Sequence, residues 1–302
     1  MEIDWYVALA GLLVGFTVGL TGMGGGALMT PILVLLFKVQ PLAAVSSDLV
    51  AAVAMKPVGA AVHLRRGTPN RQLVRWLTLG SVPSAFAGAL ILRHIGSGPA
   101  VQERVKLALG IALLLAVGTM ISRAFLNVRR RAADQRNDAE AAQAIRIRPL
   151  ATVLIGALGG LVVGMTSVGS GSLIIVMLLM AYPSLRASEL VGTDLVQAIP
   201  LVASAALGHL LFGDFRLALT TSLLIGSIPG VYLGARISTL APAAVIRPAL
   251  ALVLLASGLK LLKVGNVQLG LVMLAAVLAG PPLWRVVRAT GGLRLGASVQ
   301  PP

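Results

Sequence analysis

The sequence predicts an all-α fold: a polytopic membrane protein of two inverted repeats with broken or re-entrant helices and one extra C-terminal span. Three observations predict it. Hydrophobic residues make up 57% of the 302 residues and charged residues only 12%, whereas a soluble protein has about 25% charged residues. Apolar segments of near-membrane length follow one another closely along the chain. The second half of the chain also repeats the pattern of the first.

Composition limits the chemistry of the chain. It has no cysteine, which excludes disulfides and thiolate chemistry, and its three histidines are too scattered to predict a metal site. We expect no metal and no cofactor. The net charge of +15 comes from basic residues that cluster in short loops between apolar segments. This distribution is typical of loops that set membrane orientation, so the expected partner is a lipid bilayer and not nucleic acid.

The apolar segments are the individual elements of this fold. In chain order they cover residues 5–20, 27–37, 42–64, 73–92, 105–121, 150–165, 172–181, 188–211, 217–237, 244–262 and 267–284. A helix needs about 20 residues to cross a hydrocarbon core of about 30 Å. Several segments come within a few residues of that length, and we predict that they are membrane-spanning helices.

Two segments are too short to span the bilayer. The 11 residues of 27–37 (37 − 27 + 1) would rise only about 16 Å as a helix, and 172–181 is equally short. Each follows a glycine-rich stretch, TGMGGG at 21–26 and TSVGSG at 166–171. We therefore predict half-length helices whose glycine-rich ends lie near the bilayer middle, where protein or a water-filled cavity must surround them.

One long polar connection interrupts the apolar pattern. It contains Arg123, Arg129, Arg130, Arg131, Arg136, Arg146 and Arg148, against Asp134, Asp138 and Glu140. Because basic loops stay on the cytoplasmic side, we predict that 123–148 is a cytoplasmic linker. The predicted domains are a first transmembrane repeat at 1–122, this linker, a second repeat at 149–263, and an additional span with a tail at 264–302.

The two halves align residue by residue. With a shift of 145 (156 − 11), Gly11, Leu13, Gly15, Gly19, Thr21, Gly24, Gly26 and Leu28 meet identical residues at 156, 158, 160, 164, 166, 169, 171 and 173. With a shift of 146 (194 − 48), Asp48, His63 and Ser81 meet Asp194, His209 and Ser227. One residue of slippage over such a length indicates an internal duplication.

Loop charges indicate that the copies are inverted. The loop at 65–72 is basic, whereas its equivalent at 212–216 carries one acid and one base. Placing the first loop inside and the second outside puts the N-terminus outside and the linker and C-terminus in the cytoplasm. Inverted repeats with paired, interrupted apolar segments are typical of secondary transporters, and the interruptions point to the binding site.

The order of motifs resembles a known family. GLTGMGGGALMTP, then SSDLV, then a His-x-x-x-Gly loop and GSVPSAFAGA, all repeated after a linker, is similar to the TauE/SafE family of sulfite exporters, up to about residue 262. The resemblance implies a transporter in the bacterial plasma membrane that moves sulfite or small sulfonates outward. The chain departs from a symmetric pattern in TSVGSG, and in Lys56-Pro57, which align with Val202-Ala203.

The candidate substrate site follows from the two breaks. A break exposes a helix N-terminus, which favours an anion, and nearby hydroxyl groups add hydrogen-bond donors. The candidate residues are Thr21, Gly24, Gly25, Gly26, Ser47, Asp48, Lys56, Thr166, Ser167, Gly169, Ser170, Gly171, Thr193, Asp194 and Gln197. The alternative, glycines that only permit close helix packing, fits Gly11, Gly15, Gly19, Gly156, Gly160 and Gly164 better.

The charged candidates admit more than one interpretation. Asp48 and Asp194 are either transport residues, which includes proton coupling, or caps near helix N-termini. Lys56 is the best single positive charge for an anion pathway. For His63 and His209, the favoured interpretation is a stabilising position at a helix C-terminus.

Taken together, the residues predict a secondary transporter that works by alternating access, and the resemblance to the TauE/SafE family implies that its cargo is a small sulfur-containing anion. The chain lacks the P-loop pattern G-x-x-x-x-G-K-[ST], so an ion gradient is the expected driving force, and we expect no enzyme activity. An anion channel, an intramembrane enzyme and a membrane scaffold stay open as alternatives. The sequence also leaves open whether the protein is a monomer or a homodimer.

Overall fold

A computed structural model describes residues 3–21, 25–65, 67–95, 98–134, 147–185, 187–237 and 243–280. Within these ranges the chain is helical and contains no strand. The helices are α1 (Trp5–Thr21), α2 (Gly26–Leu35), α3 (Pro41–Arg65), α4 (Arg71–His94), α5 (Pro99–Asp134), α6 (Pro149–Thr166), α7 (Leu173–Ala181), α8 (Ala187–Phe212), α9 (Leu217–Ile237), α10 (Ala243–Leu261) and α11 (Asn266–Gly280). The predicted all-α class is confirmed.

The short helices are present where the sequence predicts them. Helix α2 has 10 residues and α7 has 9, and each follows one of the glycine-rich stretches. Six other helices in the described part of the chain are long and apolar enough to cross a membrane. The protein is therefore a multi-pass membrane protein.

The predicted linker begins differently from expectation. Helix α5 runs for 36 residues and continues through Arg123 to Asp134, so the boundary at 122/123 falls inside a helix. The segment contains alanine, leucine and arginine, which favour helix, and neither glycine nor proline. The rest of the predicted linker, 135–146, and the tail after Gly280 lie outside the described residues. The division into domains stays a prediction.

Helices of the two halves pack in a reciprocal pattern. Helix α1 packs along α9, and their counterparts α6 and α4 pack along each other. In the same way α3 contacts both α8 and α9, while α8 contacts both α3 and α4. Each of these six long helices is thus packed against helices of the other half. This exchange is what a pseudo-twofold relation between the copies would produce, and their orientation in a membrane stays a prediction.

Glycines make the close approach of these helices possible. A Cβ added at Gly11 would lie 2.8 Å from the backbone oxygen of Leu223. In the second copy, one added at Gly156 would overlap the backbone of Leu77, the residue equivalent to Leu223. Further along the same two stripes, Gly15, Gly19, Gly160 and Gly164 face the backbones of Ser227, Val231, Ser81 and Ala85 in the same way. The prediction that these stripes serve helix packing is confirmed.

Helices α3 and α8 form the centre of the molecule. Of their apolar windows, 67% and 50% are buried, compared with 33% for α4. The outer surface is apolar instead: Leu9 and Leu13 of α1 are 55% and 60% exposed. In a bilayer these side chains face lipid, whereas polar groups belong on the buried faces of α3 and α8.

Candidate functional site

The second glycine-rich break has a backbone that requires glycine. Helix α6 ends at Thr166 and α7 begins at Leu173. Between them Ser167 has a φ of 59°, Gly169 of 121° and Gly171 of 98°. Side chains rarely tolerate such left-handed values, so the glycines at 169 and 171 are needed to turn the chain from one helix into the other.

The two breaks meet in space. A Cβ added at Gly26, the first residue of α2, would overlap the backbone oxygen of Ser167. By contrast, one added at Gly25 would meet only the Cε of Met55 at 3.2 Å and a side-chain carbon of Val18 at 3.7 Å. The start of α2 therefore packs directly against the turn that follows α6. Gly24 lies outside the described residues.

Asp48 is fully buried in α3 and accepts two hydroxyl hydrogen bonds. Its Oδ2 receives one from Thr30 Oγ1 at 2.8 Å and one from Ser167 Oγ at 2.8 Å. We call Asp48, Thr30 and Ser167 the Asp48 cluster. It joins α2, α3 and the second break, and two donors on one oxygen stabilise the ionised carboxylate.

Among the lysine and arginine side chains whose burial the structure describes, only that of Lys56 is buried, with 7% of its surface exposed. Its Nζ donates a hydrogen bond to Ser170 Oγ at 2.8 Å, and its charge interacts with both Asp48 and Asp194. A buried ammonium group is stable only with such partners. The predicted positive charge of the pathway is therefore located in the wall of the second break.

Asp194 is also fully buried but has weaker partners. Gln197 Nε2 lies 3.5 Å from its Oδ1, and the backbone N–H of Gly171 donates to the carboxylate. Gln197 in turn accepts a hydrogen bond from Ser81 Oγ of α4 at 3.1 Å. We call Asp194, Gln197 and Ser81 the Asp194 cluster. No hydroxyl group reaches this carboxylate in the described structure.

The second break thus runs along all three buried charges. Ser167 contacts Asp48, Ser170 contacts Lys56, and Gly171 contacts Asp194. The two carboxylates beside the break are not fully satisfied: Asp48 Oδ1 and Asp194 Oδ2 are buried without a partner in the described structure, as are the hydroxyl groups of Ser47 and Ser227 elsewhere. Unpaired buried polar groups are costly, so a ligand that can bond them has a binding advantage here.

Hydrogen bonds tie both ends of α8 to neighbouring helices. At one end, Ser46 Oγ lies 2.8 Å from His209 Nδ1, and His209 Nε2 donates to the backbone oxygen of Gly164 at 2.7 Å. At the other end, the backbone N–H of Asn70, the residue before α4, donates to Thr193 Oγ1 at 2.9 Å. Asp194 and Gln197 lie on α8 between these contacts.

The chain is similar to known proteins over most of its length. Residues 7–261 match the family described as "Sulfite exporter TauE/SafE". The chain belongs to the TauE/SafE family. A curated relative, "Probable membrane transporter protein YjnA" of Bacillus subtilis (strain 168), is 39% identical over 257 residues, which cover 85% of this chain and 98% of the relative. The protein is accordingly a membrane transporter.

A second relative is also described as a probable membrane transporter. "Probable membrane transporter protein YdhB" of Bacillus subtilis (strain 168) is 28% identical over 259 residues, 85% of this chain and 99% of the relative. No solved structure matches the chain significantly. The TauE/SafE match ends at the last residue of α10, so α11 lies outside it, where the sequence predicted an additional span.

Not every predicted site residue of this TauE/SafE protein faces the charged centre. Thr21 Oγ1 donates back to its own helix at Thr17, and Thr193 holds the loop before α4. Thr166 Oγ1 donates to Val162 and accepts from the Val168 backbone N–H, which caps the end of α6. These hydroxyls have structural partners already.

One of the two interpretations of the aspartates is wrong. Asp48 and Asp194 each lie seven residues after the first residue of their helices (48 − 41 and 194 − 187), beyond the first turn, so neither is an N-cap. His209 does lie in the last turn of α8, as the sequence indicated, but its buried ring also bonds Ser46 of α3 and Gly164 of α6. The side chain of His63 lies outside what the structure describes.

The sequence analysis did not select two residues that donate hydrogen bonds to the buried polar side chains. Thr30 donates to Asp48 from within α2, and Ser81 supports Gln197 from α4. Thr30 is the only hydroxyl residue in the apolar helix GALMTPILVL, a signal that could have identified it. Ser81 lies in the repeated Gly-Ser-x-Pro pattern, but only its tertiary contact distinguishes it from Ser227. Among the described residues, no group of histidine, aspartate and glutamate could hold a metal.

Proposed function

We propose that this protein is a secondary transporter that exports a small sulfur-containing anion, sulfite or a small sulfonate, by alternating access. The proposed driving force is an ion gradient. The sulfur cargo rests on the description of the family, and transport rests on the family and on the names of both relatives. The proposed location is the bacterial plasma membrane, with the N-terminus outside and the linker and C-terminus in the cytoplasm.

The observation that carries an anionic cargo is the position of Lys56. Its ammonium group is buried, lies at the second glycine-rich break, and has a neutral hydroxyl, Ser170, as its hydrogen-bond partner. A lysine buried in a membrane-spanning helix is costly and is a functional candidate by default. Sulfite and sulfonates present several acceptor oxygens, which suit an ammonium group, a serine hydroxyl and the backbone N–H groups of a helix start.

The contacts at both ends of α8 support alternating access over a continuous pore. Ser46–His209 and Asn70–Thr193 tie the two ends of this helix to the rest of the molecule at the same time. In the proposed cycle these two contacts are the gates on either side of the charged centre. Transport then requires the two contacts to open in turn, so that the centre faces one side at a time.

The test is anion flux into proteoliposomes that contain the purified protein. Radiolabelled or conductivity-detected sulfite, thiosulfate, sulfate and methanesulfonate would be supplied one at a time. We expect saturable uptake of one sulfur anion and accelerated exchange when the same anion is also inside. Uptake that rises linearly with concentration and shows no exchange would indicate a channel. Folded protein that moves none of the four anions would contradict the proposal.

A variant pair tests the site itself. Lys56→Gln keeps a polar side chain of similar length but removes the charge, and we expect uptake to fall by at least about tenfold, which is ~1.4 kcal/mol. Lys106→Gln in α5 is the control, because Lys106 is exposed and its loss leaves the buried charges intact. Equal uptake by both variants would remove Lys56 from the anion pathway.

A further inference from the structure

The charges around the second break do not balance. Three charged side chains there are buried: Asp48 and Asp194 contribute two negative charges and Lys56 one positive charge. An anion that binds at Lys56 would add a further negative charge to these three buried groups, which together carry net −1; the only other charge near Asp194 in the described structure is the half-buried Arg123. Because like charges repel strongly where water is excluded, the anion must bind together with a positive charge.

A proton is the positive charge that the site can accept without rearrangement. Each carboxylate has one oxygen without a partner in the described structure, Asp48 Oδ1 and Asp194 Oδ2. A proton on one of these oxygens neutralises the carboxylate and turns it into a hydrogen-bond donor. That new donor needs an acceptor, and the oxygens of an incoming sulfonate or sulfite supply one.

The two carboxylates are not equally suited to carry this proton. Asp48 accepts two hydroxyl hydrogen bonds at 2.8 Å, from Thr30 and Ser167, and these bonds favour its ionised form. Asp194 accepts from the Gly171 backbone and from Gln197 at 3.5 Å, the outer limit of a hydrogen bond. Asp194 is therefore the carboxylate whose negative charge has the weaker hydrogen-bond support.

The sequence explains this difference. In the alignment of the two copies, the equivalent of Thr30 is Ile175 (30 + 145), and the equivalent of Ser167 is Gly22 (167 − 145). Neither residue has a hydroxyl group. Asp194 thus lacks both of the side chains that would bond it as Asp48 is bonded, one from each copy.

We propose that Asp194 is the proton carrier of the transporter, and that one proton binds its Oδ2 each time an anion binds between Lys56 and Ser170. This inference rests on the proposed function. In the empty site Lys56 balances the ionised Asp194. In the loaded site Lys56 pairs with the anion and the neutral Asp194 donates to it, so the net charge stays the same. Proton and anion then cross in the same direction, so the combined gradients of both ions, and not an inward proton gradient alone, set the direction of net export. The other charged group that interacts with Asp194 is Arg123 of α5, while Gln197 and Ser81 are neutral neighbours.

The experiment measures protons and anions in the same vesicles. Proteoliposomes would enclose a pH-sensitive dye and receive a gradient of methanesulfonate, which is a monoanion at every pH used and carries no proton itself. Potassium with valinomycin would set the membrane potential. For the native protein we expect about one proton per anion, and a flux that does not respond to the potential.

The variants identify the carrier. In Asp194→Asn we expect the proton-to-anion ratio to fall to near zero and the remaining flux to respond to the potential, because each anion now moves alone. In Asp48→Asn the rate falls but the ratio stays near one. His209→Gln removes the other buried titratable side chain of α8, and its ratio also stays near one. Thermal melting in detergent checks that each variant is folded.

Each outcome separates this inference from the function on which it rests. Saturable anion flux of the native protein without proton movement overturns the inference and leaves the transporter intact, and this measurement needs no variant. A proton-to-anion ratio near zero in Asp48→Asn or His209→Gln, with a ratio near one in Asp194→Asn, also overturns the inference. The absence of any anion flux overturns both.

Discussion

Asp48 and Asp194 occupy equivalent positions in the two copies, yet their surroundings differ. The Asp48 cluster is bonded by two hydroxyl groups, one of them from the opposite copy's break. The Asp194 cluster relies on an amide side chain supported by Ser81. Duplication supplied two identical carboxylates, and later substitutions at their partners made them chemically different. The difference indicates that the two halves of the site have separate tasks, one that holds a fixed negative charge and one that exchanges a proton.

The substitutions that create the asymmetry come in matching pairs. Where the protein has Lys56 and Ser170 in contact, the equivalent positions are Val202 and Gly25. Where it has Gln197 and Ser81 in contact, the equivalents are Ala51 and Ser227. Ser227 Oγ has no partner in the described structure, as expected when its neighbour is alanine and not glutamine. Each of the two hydrogen bonds, Lys56–Ser170 and Gln197–Ser81, is therefore formed once, because the equivalent residue pairs lack the side chains needed to form it.

The largest expected effect concerns the contact between the two breaks. Gly26→Ala would push a methyl group into the backbone oxygen of Ser167, which cannot move aside without distorting the second break. We expect a loss of about 3 kcal/mol or failure to fold, measured as yield and melting temperature in detergent. Gly25→Ala is the matched control, since its added methyl meets only flexible side chains of Met55 and Val18. Similar stability of both variants would show that the breaks do not pack against each other.

An intermediate effect is expected for a variant that makes the surroundings of Asp48 more like those of Asp194. Thr30→Val keeps the shape of the side chain but removes one of the two hydroxyl donors to Asp48. We expect a loss of stability of about 1–3 kcal/mol, because the carboxylate stays buried with one donor fewer. Ile175→Val, at the equivalent position of the second copy, is the control and should cost about 1 kcal/mol through lost packing alone. A Thr30→Val variant as stable as the native protein would mean that this hydrogen bond contributes nothing.

The smallest effect distinguishes two serines that the sequence cannot tell apart. Ser81→Ala removes the donor to Gln197 and should destabilise the protein by about 1 kcal/mol. Ser227→Ala removes a buried hydroxyl that has no partner in the described structure, so we expect no loss or a small gain in stability. Melting temperatures measured side by side check the order. The reverse order would contradict the assigned partner of Ser81.

The sequence by itself determined the secondary structure and much of the architecture. Apolar length identified the spans, and the glycine-rich stretches identified α2 and α7 as half-length helices, because both signals are local along the chain. The alignment of the halves identified Asp48 and Asp194 as a matched pair and Lys56 as a departure from the repeat, and all three side chains are buried. Composition did not reveal that α5 would continue to Asp134, since a run of arginines is compatible with either a loop or a helix.

Only the tertiary structure decided which polar groups meet. Lys56 finds Ser170 114 residues away, Ser46 finds His209 163 residues away, and Asp48 is bonded by Ser167 from 119 residues away. No local pattern encodes such pairs, because they depend on how helices of one copy pack into the other. For the same reason the sequence did not show that Thr193 accepts a hydrogen bond from the backbone of the loop before α4. The repeat specified equivalent positions, and packing between the copies determined which of them acquired a hydrogen-bond partner.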